Sequence, residues 1–243
     1  MKSAPSERNV NRFNEDVAAF GGYAYTSLGR LSARLANRRM SDAIQQAVDL
    51  SNKRVIDVGC GDGTYSVELL DAGAGSVLGI DAADDAVARA RKLADGRSSL
   101  RFETVSVQDL ATRRDHFDVA VIRGVLHHLD DPEAAIQAVC RIATDVVVVE
   151  PNGYNPVLKI LEKVSAYHIA HDEKSYPPRR LDSWFEHAGG TVVSSSYIGL
   201  VPMFCPDWMA KLCKGLEPIL ERIPVIRQLA CAQYVQRVVV SRQ

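Results

Sequence analysis

Between residues 53 and 149, short apolar runs alternate with amphipathic stretches, and this alternation restricts the fold more than any other feature of the chain. Residues 53–58, 76–80, 100–105, 117–122 and 145–149 read as buried strands. Residues 64–71, closed by Gly73, and 84–94, closed by Gly96, read as helices. Asp131-Pro132-Glu133 supplies a cap, a first-turn proline and an acidic first turn for a third helix. Strand–helix alternation of this kind implies a parallel sheet covered on both faces. Upstream, residues 11–20 suit a short helix, and Leu28, Leu31, Leu35, Ile44 and Val48 recur at helical spacing across 27–50. Downstream, Asn155-Pro156 opens a helix, and Leu181, Trp184, Phe185 and Ala188 mark another after Pro177-Pro178. Residues 191–197 form a sixth strand, 207–223 a helix kinked or broken at Pro218, and 232–241 a last strand. The expectation is one α/β domain over 1–243: a helical cap (1–50), a core (51–150) and a substrate-side lid that completes the sheet (151–243).

Composition removes several alternatives. The apolar share of 47% suffices for a large core, and the charged share of 24% excludes disorder as the main state. Twenty-nine basic residues against 30 acidic ones leave no basic excess, which disfavours nucleic acid as a partner. The longest aliphatic run, 146–149, is too short to span a bilayer, and residues 1–8 carry no apolar leader. Cys60, Cys140, Cys205, Cys213 and Cys231 are scattered and contain no C-x-x-C pair. They read as reduced thiols of a cytoplasmic protein, with no structural metal site.

The chemistry concentrates where the first strand turns into a helix. In V-I-D-V-G-C-G-D-G-T (55–64), Gly59 and Gly61 let the backbone approach a ligand. A nucleotide P-loop needs a lysine that is absent, and a dinucleotide loop needs a glycine where Thr64 stands. Asp57 and Asp62 would repel a pyrophosphate and suit a cation. The bland alternative is a turn made of glycines and aspartates. The segment resembles the first motif of class I S-adenosylmethionine-dependent methyltransferases, of the small-molecule type seen in ubiquinone and menaquinone biosynthesis. F-D-V-A-V-I-R-G-V-L-H-H-L (117–129) resembles the same family's fourth motif, including its paired histidines.

The resemblance implies a Rossmann-like, seven-stranded, mostly parallel sheet with an antiparallel last strand, and S-adenosylmethionine as cofactor with S-adenosylhomocysteine as product. Asp57, Gly59, Cys60 and Gly61 then hold the amino-acid part of the cofactor. Asp81, 22 residues after Gly59 and followed by Ala82, takes the ribose. Val107 packs on adenine and Gln108 bonds its amine, Ser106 standing where the family has an acid. Ile122 and Arg123 face the methionine end, Arg123 pairing with its carboxylate or with a substrate acid.

His127 and His128 lie beside the transferred methyl group as candidate bases, or else pack and cap the short helix there. Glu150 orients a histidine, binds substrate or simply caps the strand end, and Tyr154 and His171 stand on the same side. Tyr23 and Tyr25 read as lid residues. Residues 197–209 read as core or subunit interface, with an interfacial surface for a lipid-linked substrate as the alternative. The function expected is methyl transfer to an oxygen or nitrogen of a small-molecule or lipid-linked acceptor, by a monomer or homodimer with peripheral membrane contact at most. Its rivals are an S-adenosylmethionine-binding regulatory or accessory protein that transfers nothing, and an NAD-dependent dehydrogenase.

Overall fold

A computed structural model describes residues 29–165 and 174–241. Seven strands form one sheet: β1 (Arg54–Val58), β2 (Ser76–Asp81), β3 (Leu100–Thr104), β4 (Phe117–Arg123), β5 (Ala143–Pro151), β6 (Gly190–Ile198) and β7 (Gln233–Val240). Their order is β3-β2-β1-β4-β5-β7-β6. β1 to β5 pair in parallel, while β7 is antiparallel to both β5 and β6. The central strands are apolar on both faces: Val146 to Val149 are each at most 1% exposed. Each such side chain contributes about 1.5–3 kcal/mol of burial.

The helices are α1 (Leu31–Ala47), α2 (Thr64–Asp71), α3 (Asp84–Leu93), α4 (Pro132–Ile142), α5 (Pro156–Val164), α6 (Pro178–His187), α7 (Asp207–Leu220) and α8 (Pro224–Ala230). The caps expected at Asp131 and Asn155 are made. Asp131 accepts from the Ala134 amide at 3.1 Å, and the Asn155 side-chain oxygen accepts from Val157 and Leu158 at 2.9 and 3.3 Å. The helix expected over 207–223 is divided at a different place from the sequence reading. α7 runs through Pro218, because a proline near the end of a helix loses only one backbone bond and keeps a helical φ. The break comes instead at 221–223, where extended Ile223 precedes Pro224 and α8 begins.

α1 lies over the carboxyl ends of the strands and is bonded there from two sides. Arg39 pairs at 2.7 Å with Glu221, which caps the end of α7, and sits 3.7 Å from Glu217 within that helix. Ser32 donates to the Met203 carbonyl at 2.8 Å. These bonds set one wall of the cleft at the strand ends, where ligands of open α/β sheets bind.

Candidate active site

The loop after β1 is shaped by glycines with positive φ. Gly59 has φ +72°, and a Cβ there would meet Val125 Cγ2 at 2.4 Å. Gly63, at φ +81°, lets α2 pack directly on Phe102 and Ala90. The loop's amides are already committed within the fold. Gly59 and Cys60 donate to the Ile80 carbonyl at 2.8 and 2.9 Å, and Gly63 donates to the Cys60 carbonyl at 3.0 Å. Gly61 donates to Asp81 Oδ2 at 2.9 Å. A loop that holds a diphosphate aims such amides at the anion. Here a carboxylate and two carbonyls occupy them, and the adjacent charge is negative.

A cavity of about 730 Å³ opens over the strand ends. Its wall contains Gly59, Cys60, Gly61, Asp81, Ala82, Val107, Arg123, His127 and His128 of the residues expected from sequence. Asp81 accepts from Gly61 through one oxygen and from Ala83 through the other, at 2.9 Å each, so its carboxylate is held rigidly at the wall. Each oxygen keeps acceptor capacity for a ligand hydroxyl. Burial raises the Asp81 pKa, and the backbone amides oppose that shift.

Arg123 ties α1 to the end of β4. It donates to Ser41 Oγ at 3.0 Å and to the carbonyl and side-chain oxygens of Asn37 at 3.1 and 3.0 Å. Its guanidinium carbon lies 3.5 Å from the Tyr65 ring centroid, a cation–π contact. Ser41 passes the network on to Glu68 at 2.5 Å.

Five expected residues are not on the cavity wall. Asp57 is buried behind the loop, where Ser66 Oγ donates to it at 2.6 Å. Ile122 is fully buried in the core. Gln108 is turned onto Ser106, whose hydroxyl bonds its side chain at 2.5 Å. Tyr154 follows Asn152, whose side chain accepts its amide at 3.0 Å. Glu150, 1% exposed, stands behind the histidines instead of facing a substrate. It accepts from the amides of Val125 and Leu126 at 2.8 Å each and from that of His127 at 3.3 Å, and lies 2.8 Å from His127 Nδ1. It therefore holds both the His127 ring and the backbone of 125–127, and does not line the cavity. Tyr23, Tyr25 and His171 lie outside the described residues.

Further wall residues were not marked as such from sequence, among them Asn37 and Met40 of α1, Tyr65 of α2, and Leu158 and Leu161 of α5, whereas Met203, Phe204 and Met209 fall in the stretch read as core, interface or lipid-facing surface. For Tyr65 a signal existed, since it follows the glycine loop in the first turn of α2. The others reach the cavity only through long-range packing. Within residues 197–209, Val201, Met203, Phe204 and Met209 line the cavity, while Ile198 is buried in the core.

Burial pushes the Asp57 pKa up to about 6, opposed by the Ser66 hydroxyl and by Arg123. The ordinary value in an unfolded chain is about 3.9. Between these limits the folded protein retains a proton that the unfolded chain releases, so this group's contribution to stability falls as pH rises through about 6. Asp57→Asn keeps an acceptor for Ser66 and removes the buried charge. Urea denaturation of the variant is expected to show roughly 1–3 kcal/mol more stability than the parent near neutral pH, a gap that closes near about pH 4. A gap that is the same at both pH values would contradict the assignment.

Known proteins share this fold. Among solved structures, the [4+2]-cyclase SpnF superposes with a TM-score of 0.68 at 18% identity, over 97% of this chain and 94% of that one. Magnesium protoporphyrin IX methyltransferase of Synechocystis PCC 6803, solved with bound S-adenosylmethionine, gives 0.62 at 16%, over 96% and 97%. At these identities the likeness is one of fold, the class I methyltransferase fold.

A family model described as a methyltransferase domain (Methyltransf_23) matches residues 32–195. Ubiquinone biosynthesis O-methyltransferase of Pseudomonas fluorescens SBW25 is 32% identical over 168 residues, 61% of this chain and 69% of that protein. Its counterpart in Neisseria meningitidis serogroup A is 35% identical over 115 residues, a match spanning 46% of each chain. This chain belongs to the methyltransferase domain family, of the class I, S-adenosylmethionine-dependent, small-molecule type.

Proposed function

We propose that the protein transfers the methyl group of S-adenosylmethionine to an oxygen or nitrogen of a small acceptor with apolar character, lipid-linked acceptors included. The observation that carries this reading is one cavity lined both by the glycine loop with Asp81 and Val107 and by His127 and His128 with the apolar side chains of α5 and residues 203–209. Such a volume lies in the range of small-molecule sites and accommodates an acceptor beside a cofactor. A protein that binds the cofactor without turnover needs no such second compartment.

When bound, S-adenosylmethionine supplies a methyl group already activated on a sulfonium. Asp81 is the group to accept ribose hydroxyls, since its carboxylate is fixed at the wall by two amides. Val107 and Ala82 offer apolar surface to adenine. Asp57 lies too deep for direct contact and acts through the loop as a buried negative charge. Arg123, with its hydrogen bonds to α1, places positive charge at the wall for a carboxylate.

Glu150 holds His127 through Nδ1, so an acceptor proton is taken at Nε2. The apolar wall excludes water and aligns the acceptor, and alignment alone supplies a large part of the rate for so reactive a donor.

The test incubates the full chain with methyl-labelled S-adenosylmethionine and a panel of phenols, catechols and amines, with and without apolar tails. Label is expected in an organic product, preferentially one with an apolar tail. Calorimetry should show S-adenosylhomocysteine binding in the micromolar range and no binding of NAD. Binding without transfer to any acceptor would favour the accessory-protein reading, and NAD binding would overturn the site.

A further inference from the structure

We infer that the outer faces of α5, α7 and α8 dock this chain on an anionic membrane surface. α7 is inverted relative to an ordinary surface helix. Its buried positions are Ala210 and Glu217, the latter 3% exposed, whereas Trp208 and Ile219 are 66% and 60% exposed and Leu212 and Leu216 are also exposed. These four recur at i, i+4, i+8 and i+11, one continuous outward stripe.

α5 and α8 contain no buried residue at all. Val157, Ile160 and Val164 face outward on α5, and Val225 and Leu229 on α8. The elements are joined: Asn152 and Asn155, at the entry to α5, donate to the carbonyls of Gln228, Ala230 and Cys231 at the end of α8. The apolar surface also continues into the cavity, because Leu158, Leu161, Phe204 and Met209 line it.

Charge selects the partner. Lys163 of α5, Lys211 of α7 and Arg222, in the turn between α7 and α8, are exposed. Their acids are mostly turned away: Glu217 is bound by Lys214, Glu221 by Arg39 and the Gly199 amide, and Glu162 by Lys159 and Ser175. Asp207 is the exposed acid of α5, α7 and α8. An apolar face edged by outward cations complements anionic headgroups, with long basic side chains reaching the phosphate layer. A second copy seated face to face would instead oppose cation to cation. Among the described residues no helix is long and apolar enough to cross a membrane, so docking is superficial. The docking stands without the catalytic reading. With that reading, it names the acceptor class as an apolar molecule that leaves the bilayer directly for the cavity.

The test floats the full chain with vesicles of phosphatidylcholine, and with vesicles of which about one third is phosphatidylglycerol. Binding is expected to the second and not the first, with a blue shift of Trp208 emission and release at about 0.5 M salt. Lys211→Glu with Arg222→Glu, and separately Leu212→Ser with Ile219→Ser, should each weaken partitioning by at least roughly tenfold. Thermal melting should be unchanged, because these side chains are exposed. Absence of flotation, or flotation unchanged in both variants, would overturn the inference. So would a dimer that the serine variant dissolves, which assigns the face to a second copy. Shielding of Trp208 from acrylamide in the free chain would overturn it too, assigning the face to residues 1–28. S-adenosylhomocysteine affinity, measured on the same samples, tests the catalytic reading separately.

Discussion

Asp81→Ala is expected to weaken S-adenosylhomocysteine binding by at least about a hundredfold, measured by calorimetry. Two effects add. The carboxylate offers the ribose two charged acceptors, each hydrogen bond to a charged group being worth about 1.5–3 kcal/mol. The same oxygens fix Gly61 and Ala83 from the two sides of the crevice between β1 and β2, so their loss also releases the loop that shapes the site. Asp81→Asn separates the contributions. It keeps one oxygen acceptor and turns an NH₂ toward an amide donor, and it should lose about tenfold or more in affinity with only a modest fall in melting temperature. Affinity unchanged in both variants would remove the ribose role.

The sheet and the loop were legible in the sequence for a local reason. Strands buried on both faces must be short apolar runs, and the turn after β1 requires residues that tolerate positive φ and close contact, which Gly59 and Gly63 declare. Helix starts were legible where a cap and a proline coincide, as at Asp131-Pro132 and Asn155-Pro156. The depth of a polar side chain was not. Asp57 and Glu150 sit at strand ends like Asp81, yet their side chains point to buried donors that come from elsewhere: Ser66 in α2, and the amides of 125–127.

Gln108 was diverted by its neighbour Ser106, a competition between local hydrogen bonds that spacing does not reveal. The distal wall is less legible still. Asn37 meets Arg123 from 86 positions away, and Ser32 meets Met203 from 171 positions away. Only tertiary packing brings those segments over the glycine loop. α7 misleads a pattern reading outright, since its apolar stripe faces out and its acid faces in.

Glu150 gives the second large effect, because one buried carboxylate organises the whole segment that carries the histidines. Glu150→Ala removes the acceptor of three amides and of His127 Nδ1 and leaves a void, with donors at Leu126 and His127 still buried. The expected loss is about 3–5 kcal/mol, the range for breaking a buried charged partnership. In a chain of this size that lowers the melting temperature by about 10 °C or more, measured calorimetrically.

Glu150→Gln tests chemistry apart from folding. Its side-chain oxygen still accepts from Val125 and Leu126 and only the long bond from the His127 amide is lost, so cofactor affinity should persist at a modest cost in stability. Its NH₂ now faces His127 Nδ1, which must accept, and the ring proton moves to Nε2. A base at Nε2 is thereby blocked, and turnover of the methylated acceptor should fall by about 10²–10⁴, the usual contribution of a general base. NMR of the imidazole nitrogens should report the change of tautomer independently of turnover. If the tautomer changes and turnover falls by less than severalfold, His127 only shapes the cavity, and alignment of the acceptor along the apolar wall carries the rate.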